Sequence, residues 1–189
     1  MDAIILTHGA GSNRNAPLLV ALAKVFESAG IQVVRYDLPF RQERPHGPPR
    51  PAGAARDREG LRAEVLKARE KSAKVWLGGH SYGGRQASML AAESPGLADG
   101  LLLLSYPLHP PSKPEQLRTA HFPKLETPAL FVHGARDPFG SFEELREAIA
   151  LIPARTQLVE VDGAGHELGK AHAKLAERIL AELRSFEAG

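Results

Sequence analysis

The chain contains no cysteine. That absence removes disulfides, thiolate metal ligands, iron–sulfur ligation and a cysteine nucleophile together. Aromatic residues are scarce at 6%, with a single Trp. Charge of one sign is equally lacking: 24 Lys and Arg face 22 Asp and Glu, for a formal charge of +2. A chain so balanced has no basic field of the kind that holds nucleic acid, and none is expected as a partner. Long apolar runs are missing too. Met1-Asp2-Ala3-Ile4-Ile5-Leu6 carries no basic start and breaks at Thr7-His8-Gly9, too early for a secretion signal or a membrane span. The expectation is a cytoplasmic protein without a membrane partner. No feature of the sequence fixes the number of subunits.

What is present suits one folded domain over residues 1–189. Hydrophobic residues make up 43% of the chain and charged residues 24%, enough for a core and a solvated surface. Six short apolar runs recur: Ala3–Thr7, Gln32–Tyr36, Lys74–Gly78, Leu101–Ser105, Ala129–His133 and Gln157–Val161. Several are continuous rather than alternating, as in parallel strands covered on both faces. Between them, Ala16–Ala29, Ala54–Ser72, Gly84–Ser94, Phe142–Leu151 and Lys170–Phe186 carry apolar residues at helical spacing. In the last, Leu175, Ile179, Leu180 and Leu183 form one stripe. This alternation predicts a three-layer α/β sandwich around a mostly parallel six-stranded sheet.

Two connections stand apart. Leu38–Ala54 and Tyr106–Pro128 hold 11 of the 15 prolines and read as stiffened loops rather than helices. Both follow a strand, which puts them at the C-terminal edge of the sheet, where open α/β folds bind ligands.

The strongest chemical signal is Gly79-His80-Ser81-Tyr82-Gly83. An apolar strand runs into this G-x-S-x-G, and a helical pattern follows, which is the context of a nucleophile elbow. Gly79 and Gly83 lack the Cβ atoms that would crowd a sharp turn, and the helix N-terminus points free N–H groups at Ser81. A serine needs a base, and the base an orienting acid. Asp137 lies just past the fifth strand, in Gly134-Ala135-Arg136-Asp137-Pro138, and His166 just past the sixth, in Gly163-Ala164-Gly165-His166. The chain order Ser81, Asp137, His166 is one of the known triad orders. Of the other aspartates, Asp2, Asp57 and Asp99 fall outside strand-end loops on this edge. Asp37 precedes the serine, and Asp162 is better suited to shaping its turn by Asx bonding. Acyl transfer also needs oxyanion donors. Backbone N–H groups of Ala10, after Thr7-His8-Gly9, and of Tyr82 are the candidates, with Gly11 the nearest rival to Ala10. His8 reads as ordering this loop rather than as a chemical participant.

From Thr7-His8-Gly9-Ala10-Gly11 through the serine motif and His133-Gly134-Ala135-Arg136-Asp137 to Gly163-Ala164-Gly165-His166, the sequence resembles the α/β-hydrolase superfamily. The likeness is to its small lidless members, the dienelactone hydrolases and short-chain esterases, and it covers nearly the whole chain. The resemblance implies strand order 2-1-3-4-5-6, a minimal α/β-hydrolase fold without a lid domain. It also implies a serine esterase acting on carboxylic or thio-esters of small molecules, without cofactor or metal. Two departures stand out: dienelactone hydrolases place cysteine at the elbow, and Tyr106–Pro128 has room for one short helix only, so the site should be open.

Other readings compete. Gly9-Ala10-Gly11-Ser12-Asn13-Arg14 begins like a dinucleotide fingerprint with Asp37 as ribose acid, but Arg14 replaces the third glycine. His8, His80 and His133 end neighbouring strands, where three imidazoles could hold zinc. A non-catalytic hydrolase fold used for binding is a third class. Arg41, Arg44, Arg50 and above all Arg85, one turn beyond Ser81, could meet an acidic acyl group; alternatively Arg85 ties its helix to a neighbouring loop and the others are solvated.

Overall fold

The structure is a computed structural model that describes all 189 residues. Apolar runs of five or six residues form β1 (Ala3–Thr7), β2 (Gln32–Tyr36), β3 (Val75–His80), β4 (Gly100–Leu104), β5 (Ala129–Gly134) and β6 (Thr156–Val161). Every pairing is parallel, in the order β2-β1-β3-β4-β5-β6. The order agrees with the resemblance. The only exchange of direction in strand order falls between β1 and β3, which pair Thr7 with Gly79 at their C-terminal ends.

Alternation along each strand divides the core into two layers. Ile5, Leu77, Leu101, Leu103 and Phe131 meet α3 (Ala54–Arg69), α4 (Tyr82–Glu93) and α5 (Phe142–Ile149). Ile4, Leu6, Trp76, Leu102, Leu104 and Val132 meet α1 (Pro17–Ser28) and α6 (His172–Ala188). The stripe Leu175, Ile179, Leu180 and Leu183 is buried as its spacing requires. Pro17 opens α1, where its missing N–H costs nothing, and a Ser141–Glu144 capping box opens α5.

The Leu38–Ala54 segment corrects the reading of a plain loop. Pro39–Glu43 forms the short helix α2 with Pro39 at its first turn, and Pro51–Gly53 is a 3₁₀ turn. The proline ring that discourages helix interiors presets the first helical φ. Tyr106–Pro128 holds a single 3₁₀ turn, Phe122–Lys124, and folds down onto the sheet. Tyr106, Phe122 and Phe131 pack there with ring centroids 5.3–6.2 Å apart. No helix is long and apolar enough to cross a membrane.

Candidate active site

β3 runs to His80, so Ser81 follows the strand directly and α4 begins at the next residue. Ser81 adopts φ 51° and ψ −117°, a region costly for a residue with a Cβ and held only by its surroundings. Its N–H donates to the Leu104 carbonyl at 2.8 Å. The motif glycines serve a neighbour as well as the turn, across which a Cβ at Gly79 would lie 3.1 Å from the Gly83 backbone carbon. A Cβ at Gly79 would lie 2.5 Å from the Thr7 carbonyl, and one at Gly83 2.6 Å from that of His8. Bare backbone thus lets the end of β1 rest against the elbow.

The three residues proposed from chain order converge. Ser81 Oγ lies 2.8 Å from His166 Nε2, and His166 Nδ1 lies 2.8 Å and 3.0 Å from the two carboxylate oxygens of Asp137. With Nδ1–H donating to Asp137, Nε2 is left to accept from the hydroxyl. The Asp137 side chain is fully buried and also accepts from Phe139 N–H at 2.9 Å. Phe139, which sequence reasoning missed, lays its ring 4.4 Å from the imidazole. His80 donates from Nε2 to the His166 carbonyl at 2.8 Å, and His133 from Nε2 to the Gly140 carbonyl at 2.8 Å. Burial lowers the pKa of both, the dominant cause in each case.

Across the elbow, the β1 loop presents unspent donors. Neither Ala10 N–H nor Gly11 N–H has an acceptor in the protein. The plane of the Gly9–Ala10 peptide is set by two bonds to the Gly9 carbonyl, from His8 Nδ1 at 2.9 Å and Ser12 N–H at 3.1 Å. Leu38 N–H donates to His8 Nε2 at 3.2 Å, which requires the proton on Nδ1. Burial again lowers the His8 pKa and keeps the ring neutral. His8, His80 and His133 therefore serve three separate loops instead of converging on one ion.

Other candidates fare differently. Arg41 is buried and spends itself on the carbonyls of Ser12, Ala10, Gly47 and Arg44, stitching the β1 loop to the Pro-rich segment. It is neither solvated nor available to substrate. Arg44 donates to Pro48. Arg50 is exposed and Arg85 half-buried; both line a cavity of about 320 Å³ beside Tyr82. Asp162 is exposed, and its carboxylate makes no Asx bond; the turn is closed by Ala164 N–H to Val161 at 3.3 Å. Asp37 accepts from Arg14 N–H at 2.6 Å, so its carboxylate is engaged by the β1 loop. Asp57, set aside in the sequence, is fully buried beneath the site and accepts from Tyr82 Oη at 2.7 Å and Phe40 N–H at 3.0 Å. No pattern within the sequence joins positions 40, 57 and 82.

The arrangement offers a hydroxyl with a base and acid behind it, and free N–H groups in front of it. The family model of the alpha/beta hydrolase domain matches residues 1–182. Among solved structures, Est1E from Butyrivibrio proteoclasticus with ferulic acid bound superposes with a TM-score of 0.77 at 17% identity, covering 100% of this chain and 90% of that one. A dienelactone hydrolase from Anabaena variabilis gives 0.76 at 20% identity, over 96% and 84% of the two chains. A structure described as a hydrolase of the alpha/beta superfamily, from Xanthomonas campestris pv. campestris, gives 0.70 at 28% identity over 98% and 99%. At 20% identity or below, the likeness speaks to the fold alone.

Proposed function

The chain belongs to the alpha/beta hydrolase family, and on that premise we propose that it is a serine hydrolase of carboxylic or thio-esters of small molecules. The observation that carries this reading is the continuous hydrogen-bonded line from Ser81 Oγ through His166 to Asp137. His166 takes the hydroxyl proton as Ser81 Oγ forms a bond to the acyl carbon, and Asp137 stabilises the imidazolium. Negative charge grows on the carbonyl oxygen as the tetrahedral species forms. In this reading the N–H groups of Tyr82 and of Ala10, or its neighbour Gly11, receive that charge, and removal of one such donor typically costs about 10²–10³ in rate. His166 then gives its proton to the departing alcohol or thiol. A water deprotonated by the same imidazole attacks the acyl-enzyme, the acid leaves, and the proton returns to Ser81. The ferulic acid in the Est1E structure supports a small organic acid as the acyl half.

A fluorophosphonate probe tests the assignment, because it reacts only with an activated serine. Wild-type protein should be labelled at Ser81 and should hydrolyse p-nitrophenyl butyrate, and Ser81→Ala should do neither. Labelling that persists in Ser81→Ala would overturn the reading.

A further inference from the structure

We propose that the cavity walled by Arg50, Tyr82 and Arg85 binds a carboxylate of the substrate, so that the preferred ester carries a negative charge a few bonds from the reacting carbonyl. This rests on the esterase reading and narrows its substrate.

Arg85 stands one turn beyond Ser81, its N–H donating to the Ser81 carbonyl at 3.0 Å, and Tyr82, the residue next to Ser81, lines the same cavity. Its guanidinium has no acid to answer it. Arg58 pairs with Glu93 at 3.0 Å, Arg69 with Asp99 at 2.9 Å, and Arg41 is spent on carbonyls. Arg85 Nε, by contrast, is buried and has no hydrogen-bond partner. The next residue shares the deficit. Gln86 is fully buried, its Oε1 accepts from Arg58 Nη1 at 3.0 Å, and Nε2 is left as a donor without an acceptor. Two unpartnered buried donors on adjacent residues are unusual, since buried polar groups are nearly always paired, and both residues contribute to the lining of one cavity.

The cavity they border has about 320 Å³, with Pro49 and Met89 supplying apolar surface and Arg50 at the mouth, and no acidic residue lines it. That volume is at the small end of ligand sites. The carboxylate of Asp57, which reaches the wall residue Tyr82 from below, is hydrogen-bonded through its two oxygens to Phe40 and Tyr82. Nearby His121 bonds Ser88 Oγ at 2.8 Å and is held neutral: burial first, then Arg85 and Arg58, push its pKa down to about 4. Arg85 is therefore left without an ion-pair partner within the protein. A guanidinium presents two parallel N–H donors to the two oxygens of a carboxylate, a match a neutral acyl group lacks.

Glutarate and the neutral 1,5-pentanediol are the probes. Calorimetry on Ser81→Ala protein should find glutarate bound at least tenfold more tightly than the diol, with that advantage lost in Ser81→Ala/Arg85→Met and partly restored by Arg85→Lys. If the Arg85→Met protein fails to fold by circular dichroism, Arg50→Ala at the exposed mouth replaces it and should weaken glutarate several-fold. In turnover, wild-type kcat/KM for the p-nitrophenyl half-ester of glutarate should exceed that for p-nitrophenyl butyrate at least tenfold. Glutarate held no better than the diol, or unaffected by both arginine changes, overturns the proposal. Hydrolysis of both esters without preference also overturns it, while leaving the esterase standing. Failure to hydrolyse either ester, with glutarate binding still dependent on Arg85, removes the esterase reading and keeps the anion pocket.

Discussion

His8 touches neither Ser81 nor His166, yet it bears on the chemistry proposed for them. Its Nδ1–H holds the Gly9 carbonyl, and a planar peptide bond obliges the Ala10 N–H to point the opposite way. The same logic separates the aspartates. Asp137 is fully buried and bonded to His166. Asp162, four residues before that histidine, is exposed and bonds to nothing. Asp137→Asn is expected to lower kcat by about 10³–10⁴, since the imidazole loses both its tautomer and its counter-charge. Asp162→Asn and Asp37→Asn should stay within a few-fold of wild type in the same ester assay, and a crippled Asp162→Asn would mean that the acid has been misassigned. These residues were legible because each sits at a strand end in triad order. Arg41 and Asp57 were not. The partners of Asp57 lie 17 and 25 positions away, and those of Arg41 in the β1 loop 29 and 31, so nothing local distinguishes a stitched arginine or a buried carboxylate from a solvated one.

Elements tell a similar story through different physics. The strands could be read because parallel strands buried on both faces are continuous apolar runs, and β1 and β4 are buried at every position. Helix α2 could not, because proline suppresses helix everywhere except the first turn, and composition does not say which turn Pro39 occupies. The segment Tyr106–Pro128 has a function-bearing consequence. Tyr106 and Phe122 are wholly buried against Phe131, so parts of this connection enlarge the core, while residues 111–117 stay exposed. With no helical lid in that place, water-soluble short-chain esters should be hydrolysed without activation at a lipid interface. Rates for a series of p-nitrophenyl esters should fall beyond butyrate-sized acyl chains. A sharp rise as substrate passes its micellar threshold would show that the segment behaves as a lid.

For the molecule as a whole, burying several neutral imidazoles makes stability depend on pH. His8, His80, His121 and His133 all have lowered pKa values, in each case chiefly from burial. The unfolded chain takes up protons at these side chains near pH 6.5, where the folded protein refuses them. The unfolded state therefore binds more protons, and stability is full above about pH 6.5 and declines as pH falls through that value. For His121 the decline continues to about pH 4, where the folded form also protonates. Calorimetric melting should give a lower Tm at pH 5 than at pH 7.5, and His121→Gln should flatten the difference; an unchanged Tm would contradict the burial account. The sheet also sets a length for one connection. β6 lies three strands from β3, roughly 14 Å at the usual spacing. The five residues from Asp162 to His166 can reach about 17 Å fully extended, and the turn at Ala164 consumes part of that. Only because Gly134 has no side chain can the segment cross flat over β5; a Cβ there would come within 2.5 Å of the Ala164 carbonyl. The segment that carries His166, the proposed base, thus covers much of that distance in five residues, and the two side chains close the rest. This connection can therefore gain a residue more easily than it can lose one.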